Sequence, residues 1–136
     1  MRKWMLMLSV LSVPFTLTHA IEDFSEGIPA ARFGLALLPA AFVLSLGYTS
    51  QVAAAVLSAH GDVRGDALNL LLAFVWLVAA AADHLGEILF VPTGAYRAEL
   101  VSKALEVGIM LTAALWLLAS VRVLRGRDME FSKITP

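Results

Sequence analysis

Residues 67–91 read ALNLLLAFVWLVAAAADHLGEILFV, an apolar run that nonetheless carries Asp83, His84 and Glu87 near its end. A helix rises about 1.5 Å per residue, so about 20 residues cross a hydrocarbon core of about 30 Å. This run is long enough to cross unaided. Working outward from it, three more stretches have the same character: residues 4–22, 33–59 and 102–121. The pattern predicts an all-α fold, a four-helix transmembrane bundle over residues 1–124, with a polar tail over 125–136. Pro14 and Pro39 fall inside the first two stretches, where a lipid-embedded helix tolerates them with a kink.

Composition agrees. Of 136 residues, 60% are apolar and 15% charged, and the mean hydropathy is +0.81. Soluble domains average about 45–50% apolar and about 25% charged. The formal charge of -1 gives no basis for a nucleic-acid partner. With no cysteine, disulfides, thiolate metal sites, c-type haem attachment and cysteine nucleophiles are all excluded.

The first stretch has two readings. Met1-Arg2-Lys3, a short apolar run and Thr18-His19-Ala20 resemble a signal peptide cleaved after Ala20, which would leave three helices. The alternative is a retained first helix, favoured because the polar cluster at its end matches a second cluster later in the chain. The distribution of basic residues orients the spans. A cytoplasmic N-terminus puts Arg2, Lys3, Arg64, Arg122, Arg125, Arg127 and Lys133 inside, against Arg32, Arg97 and Lys103 outside. Both termini are therefore expected to be cytoplasmic, in a multi-pass protein of the inner membrane. His60 to Gly65 reads as a tight inner turn, so spans two and three are expected to be antiparallel neighbours. Gly27 and Pro29 are expected to end any helix on the outer side, as is Pro92-Thr93-Gly94.

Ionisable residues within spans mark function by default, because unpaired charge in lipid is costly. Here they are grouped. Span one ends in His19-Ala20-Ile21-Glu22-Asp23, span three holds Asp83-His84-Leu85-Gly86-Glu87, and span four adds Glu106. Each of the first two contains His-x-x-Glu, an i,i+3 pair on one side of a helix. Counted from the inner edge at about 1.5 Å per residue, His19, Asp83, His84 and Glu106 all lie about 22–25 Å up, in the outer third. Both His-x-x-Glu segments precede a proline and an arginine, which is compatible with a parallel duplication of a two-helix unit.

Nitrogen and oxygen ligands of this kind suit Zn, Fe or Mn, and helical bundles build such centres from helix-borne Glu and His. The expected metal ligands are His19, Glu22, Asp23, His84 and Glu87. The expected catalytic groups are His84, Glu87, Asp83 and Glu106, either around a metal or as a metal-free acid–base pair acting on a lipid-soluble molecule. Simpler readings stand beside these. His19, Glu22 and Asp23 fit an ordinary interfacial segment, and Glu106 fits an ion pair with Lys103 or Arg97. His60 reads as a loop histidine far from the cluster. Tyr48, Thr49 and Gln51 read as interhelical hydrogen-bond partners. Alanine-rich faces (Ala53 to Ala55, Ala79 to Ala82, Ala113 and Ala114) suit homo-oligomerisation or an accessory role in a larger membrane complex. A b-type haem held by His19 and His84 is a further alternative.

His19-Ala20-Ile21-Glu22-Asp23-Phe24, closing a first hydrophobic span before a Gly/Pro/Arg turn, resembles the signature of the HXXEE family of small prokaryotic membrane proteins. A second histidine on a later span, before a Pro/Gly/Tyr turn, is also similar. Asp23 stands where that family has a second Glu, which keeps the charge and shortens the reach. The resemblance implies a small multi-pass membrane protein and assigns no activity. A more distant likeness, by analogy only, is to sterol-isomerase-type membrane proteins, whose spans carry His and Glu in an apolar pocket.

Overall fold

A computed structural model describes residues 1–90 and 99–131, apart from the side chains of Arg32, Glu87, Glu99 and residues 128–131. Its helices are α1 (Arg2–Glu26), α2 (Ile28–Phe33), α3 (Leu37–Ala59), α4 (Val63–Phe90) and α5 (Glu99–Phe131). All except α2 are long and apolar enough to cross a membrane, and the described residues contain no strand. The protein is an all-α bundle of four membrane-spanning helices.

The buried stripe of α1 explains how its helices meet. Met5, Ser9, Ser12, Thr16 and His19 are buried, alternating steps of four and three residues that keep to one helix face. Small hydroxyl residues on that stripe let neighbouring backbones approach closely. Their hydroxyls are satisfied partly within the helix: Ser12 Oγ donates to the Ser9 carbonyl (2.7 Å) and Thr16 Oγ1 to the Ser12 carbonyl (3.0 Å). From α3, Tyr48 OH donates to Thr16 Oγ1 (2.8 Å), and Gln51 Nε2 donates to the Ser9 carbonyl (2.6 Å) and Ser12 Oγ (3.0 Å). Tyr48 and Gln51 thus play the bridging part their polarity predicts.

α5 packs closely on both α1 and α4, and α3 packs on α4 but only sparsely on α1. The reason lies in α3 itself. Its buried residues are Gln51, Ala54 and Ser58, all in its second half. Leu37, Leu38, Phe42 and Leu46 in the first half are exposed. α3 therefore leaves the bundle at one end, and a gap opens there between α1 and α3.

The opposite end is fastened by charge. Asp66, in the first turn of α4, is fully buried; Arg2 Nη2 lies 3.1 Å and Arg127 Nη2 2.7 Å from its Oδ2. One layer in, Trp116 Nε1 donates to Asn69 Oδ1 (3.1 Å), and Asn69 Nδ2 donates to Ser58 Oγ (3.0 Å) and the Gly65 carbonyl (2.9 Å). Met5, Leu72, Ala73, Trp116 and Val123 form the apolar core around this layer.

Several boundaries differ from the sequence expectation. α1 runs to Glu26 and ends at Gly27, whose φ of 73° is left-handed. Pro29 then sits in the first turn of α2, where its missing N–H costs nothing, so it opens a short helix as well as closing a long one. Pro39 lies in the first turn of α3 and causes no mid-span kink. α5 continues to Phe131, beyond the expected start of the polar tail, and within this extension Arg127 is held by Asp66 and by the Gly61 carbonyl (2.6 Å). The turn at Pro92-Thr93-Gly94 and Arg97 lie outside the described residues.

The α3–α4 hairpin is tightest at Gly65. A β-carbon there would lie 2.6 Å from Leu57 Cβ and 2.7 Å from Leu57 C, and against the Ser58 backbone nitrogen. Gly65→Ala is expected to lower stability by about 1–3 kcal/mol, the usual cost of overpacking. Thermal unfolding in detergent measures it. Gly126→Ala, where a β-carbon meets nothing within 4 Å, is the control and should show no loss.

Candidate functional site

Three helices each deliver one buried ionisable side chain to the same place. His19 closes the inward stripe of α1. His84 lies on the inward face of α4 together with Ala80, and Glu106 on that of α5 together with Ile109 and Ala113. His19 and His84 are 6% exposed and Glu106 is 3% exposed. One ligand-capable atom from each of the three falls within 4.8 Å of the others. The equal heights counted from the sequence are thus matched by proximity in space.

The ring nitrogens are arranged in a definite order. His19 Nδ1 is hydrogen-bonded to Glu22 Oε2 at 3.3 Å, and His84 Nδ1 lies 3.3 Å from Glu106 Oε1. An ionised carboxylate only accepts, so Glu22 favours the proton on His19 Nδ1, whereas His84 has a carboxylate oxygen near each nitrogen, Glu106 at Nδ1 and Asp83 at Nε2. The two Nε2 atoms face one another at 3.1 Å, with donor and acceptor set by the tautomers of the rings. The rings meet edge to face, with centroids 4.6 Å apart. Two lone pairs at that distance repel unless a proton or a cation lies between them. Two further carboxylates stand beside the same nitrogens: Asp23 Oδ2 is 3.6 Å from His19 Nε2, and Asp83 Oδ2 is 3.4 Å from His84 Nε2.

Of the residues singled out from sequence, His19, Glu22, Asp23, Asp83, His84 and Glu106 all belong to this cluster. Glu22 and Glu106 stand behind the histidines, whereas Asp23 and Asp83 stand beside the facing nitrogens. Glu87 is in α4, and its side chain lies outside the described residues. His60 is far from the cluster, in the α3–α4 turn, bonded to the Val56 carbonyl.

Beside the cluster is a cavity of about 640 Å³, walled by α1, α3 and α4 and bordered by Pro29 and Phe33 of α2. His19, Asp23, Asp83 and His84 contribute to its wall, which is otherwise mostly apolar. Sequence reading missed this cavity, because it arises from the divergence of α3, a feature of packing. The small residues that make room for it (Ala40, Gly47, Ala79) read equally well as helix-contact positions. Sequence reading also missed the Arg2–Asp66–Arg127 cluster. Its signal was an acid placed beside a turn, which is too common to single out.

No protein-family model matches the chain, and searches of curated proteins and of solved structures found no match. Fold and side-chain geometry therefore carry the functional argument.

Proposed function

We propose that the chain is a membrane-embedded enzyme whose His19–His84 pair holds a divalent transition metal and acts on a lipid-soluble molecule in the adjoining cavity. The observation that carries this reading is the facing of the two Nε2 atoms at 3.1 Å, each imidazole having a carboxylate at its far nitrogen. Two nitrogen ligands about 2.0–2.1 Å from a tetrahedral ion stand about 3.3 Å apart. A carboxylate behind each imidazole raises its basicity, as outer partners of metal-bound histidines do. Glu106 is the third member of the group whose ligand atoms lie within 4.8 Å of one another, and Asp23 and Asp83, beside the facing nitrogens, balance charge. Oxygen and imidazole donors suit Zn, Fe or Mn. Such an ion polarises a bound oxygen or lowers the pKa of a bound water, within a cavity open to apolar molecules.

The same 3.1 Å also suits one N–H···N hydrogen bond, which favours a second reading. In it, the pair shares one proton and performs metal-free acid–base chemistry. Haem is less well supported, because 3.1 Å leaves no space for a macrocycle between the rings. We include the resemblance to the HXXEE family in the proposal: His19 and Glu22 take the positions of that signature, with Asp23 as its second acid.

Elemental analysis and an absorbance spectrum of detergent-purified protein, expressed with Zn, Fe and Mn supplied, test the reading. About one transition-metal ion per chain is expected. Metal-free protein overturns the metal reading in favour of the proton-sharing pair, and a Soret band overturns both in favour of haem.

A further inference from the structure

The cavity changes character along its length. His19, Asp23, Asp83 and His84 lie toward one end, and the wall beyond them is apolar. Trp76 lines it two turns along α4 from His84, about 12 Å down the axis, and Leu72 lies a further turn on. Gly47 of α3 faces Trp76 there: a β-carbon built on Gly47 would sit 3.5 Å from Trp76 Cζ2. α3 has no buried residue before Gln51, and at this level Tyr48 joins it to α1 through Thr16 Oγ1, so the separation of α1 and α3 lies beyond that bond, toward Leu37.

We propose that the occupant is a single-chain amphiphile with a neutral oxygen headgroup, an alcohol or a carbonyl, and that Gly47 sets the length of tail accepted. The head lies at the His19–His84 pair, and the tail runs past Gly47 and Trp76. This rests on the reading above for what the head meets, and on the cavity alone for the tail. The charge around the pair decides the head. Asp23 and Asp83 carry oxygens 3.6 and 3.4 Å from the facing nitrogens, so a carboxylate or phosphate head would enter beside two anions. A hydroxyl donates to one of them or ligates a cation, and a carbonyl ligates it without added charge. The volume decides the tail. About 640 Å³ is the size of a small-molecule site, within the usual range of about 300–1,000 Å³. The polarity gradient orients such a molecule as a bilayer would, with its head toward the end of the bundle and its tail toward the middle. Gly47 and Trp76 adjoin one another on the wall along which the tail runs, so a larger side chain at Gly47 takes up space there.

The test uses the full chain in phosphatidylcholine nanodiscs, titrated with primary alcohols of increasing length brominated at mid-chain. Bromine quenches tryptophan on contact, and Trp76 is the reporter. Trp4, which is exposed along α1, is replaced in the background as Trp4→Phe; Trp116 is fully buried and bonded to Asn69, away from the cavity. Saturable quenching is expected, with affinity rising about fourfold per buried methylene until the cavity is filled. A brominated fatty acid of equal length should bind at least tenfold more weakly. Gly47→Leu should stop the rise earlier and weaken the longest alcohol by about fifteenfold, the effect of excluding about two methylenes. Ala79→Leu, on the α4 wall of the cavity, is the second variant should Gly47→Leu fold poorly. Both should keep the metal content of the parent.

Quenching that never saturates overturns the proposal, as does a chain-length profile unchanged in both leucine variants. Equal binding of acid and alcohol overturns the neutral head. A chain that binds the alcohols saturably but takes up no metal overturns the metal reading and leaves the tail site standing. Metal-loaded protein with unsaturable quenching overturns this inference alone.

Discussion

On the proposed metal reading, replacing His84 with alanine is expected to reduce bound metal to background while the bundle still inserts and folds. His84 is the central member of the cluster: its Nε2 faces His19 at 3.1 Å, and its Nδ1 lies 3.3 Å from Glu106 Oε1. Its loss removes one of two imidazole ligands and leaves Glu106 buried without the imidazole it faces. Affinity should fall by well over the factor of about 10–100 typical of losing an outer partner. Glu106→Gln should fall within that factor, because the amide keeps an oxygen near His84 Nδ1 but removes the carboxylate's charge. The fold should survive because the main core, around Met5, Leu72, Ala73 and Trp116, lies nearer the other end of α4. Metal per chain and metal affinity, measured together with monodispersity in detergent, check the expectation. Parental metal affinity in His84→Ala would remove the pair from the site and with it the proposed chemistry.

The sequence disclosed this cluster for a physical reason. Charge is scarce in a membrane span, so Asp83, His84 and Glu106 stand out against their neighbours, and the constant rise of a helix converts residue number into height. Height, however, is one coordinate of three. Periodicity could not say which carboxylate stands behind a ring and which beside its free nitrogen, because that depends on helix rotation and rotamer. Glu22 and Asp23 are adjacent in sequence yet approach opposite nitrogens of His19. Span existence was equally legible, since apolar length alone decides it. Helix ends were not. Pro29 and Pro39 read as breaks or kinks, and each sits in the first turn of a helix, where proline fits. The cavity was illegible because it results from where α3 stops packing. The exposed Leu37, Leu38, Phe42 and Leu46 that accompany this divergence look the same in sequence as any lipid-facing residues.

Asp66→Ala is expected to have the largest effect on stability while leaving the His19–His84 cluster intact. Asp66 is fully buried and receives two guanidinium groups, Arg2 Nη2 at 3.1 Å and Arg127 Nη2 at 2.7 Å. One carboxylate therefore ties the start of α1 and the last third of α5 to the first turn of α4. Removing it leaves two like charges side by side, and Arg127, whose Nε is already buried without a hydrogen-bond partner, loses its counter-ion. Breaking a buried pair by deleting one member costs about 3–5 kcal/mol, because the remaining charge stays desolvated. A loss toward the lower end, about 3 kcal/mol, is expected here, because the Arg2 side chain is 37% exposed and can turn to water. Asp62→Ala supplies the comparison: its carboxylate caps the exposed Arg64 N–H at 2.8 Å, and its loss should cost about 1 kcal/mol. Replacing all three members of the buried cluster with apolar residues of similar volume should restore most of the loss, since a missing pair costs less than a broken one. Asp66 and His84 are eighteen residues apart on α4, about 27 Å, so Asp66→Ala protein that remains folded should bind metal as the parent does. Denaturant unfolding in detergent, with metal content measured on the same samples, separates the two ends of the bundle. A stability loss no greater than that of Asp62→Ala would show that the three charges do not hold the helices together.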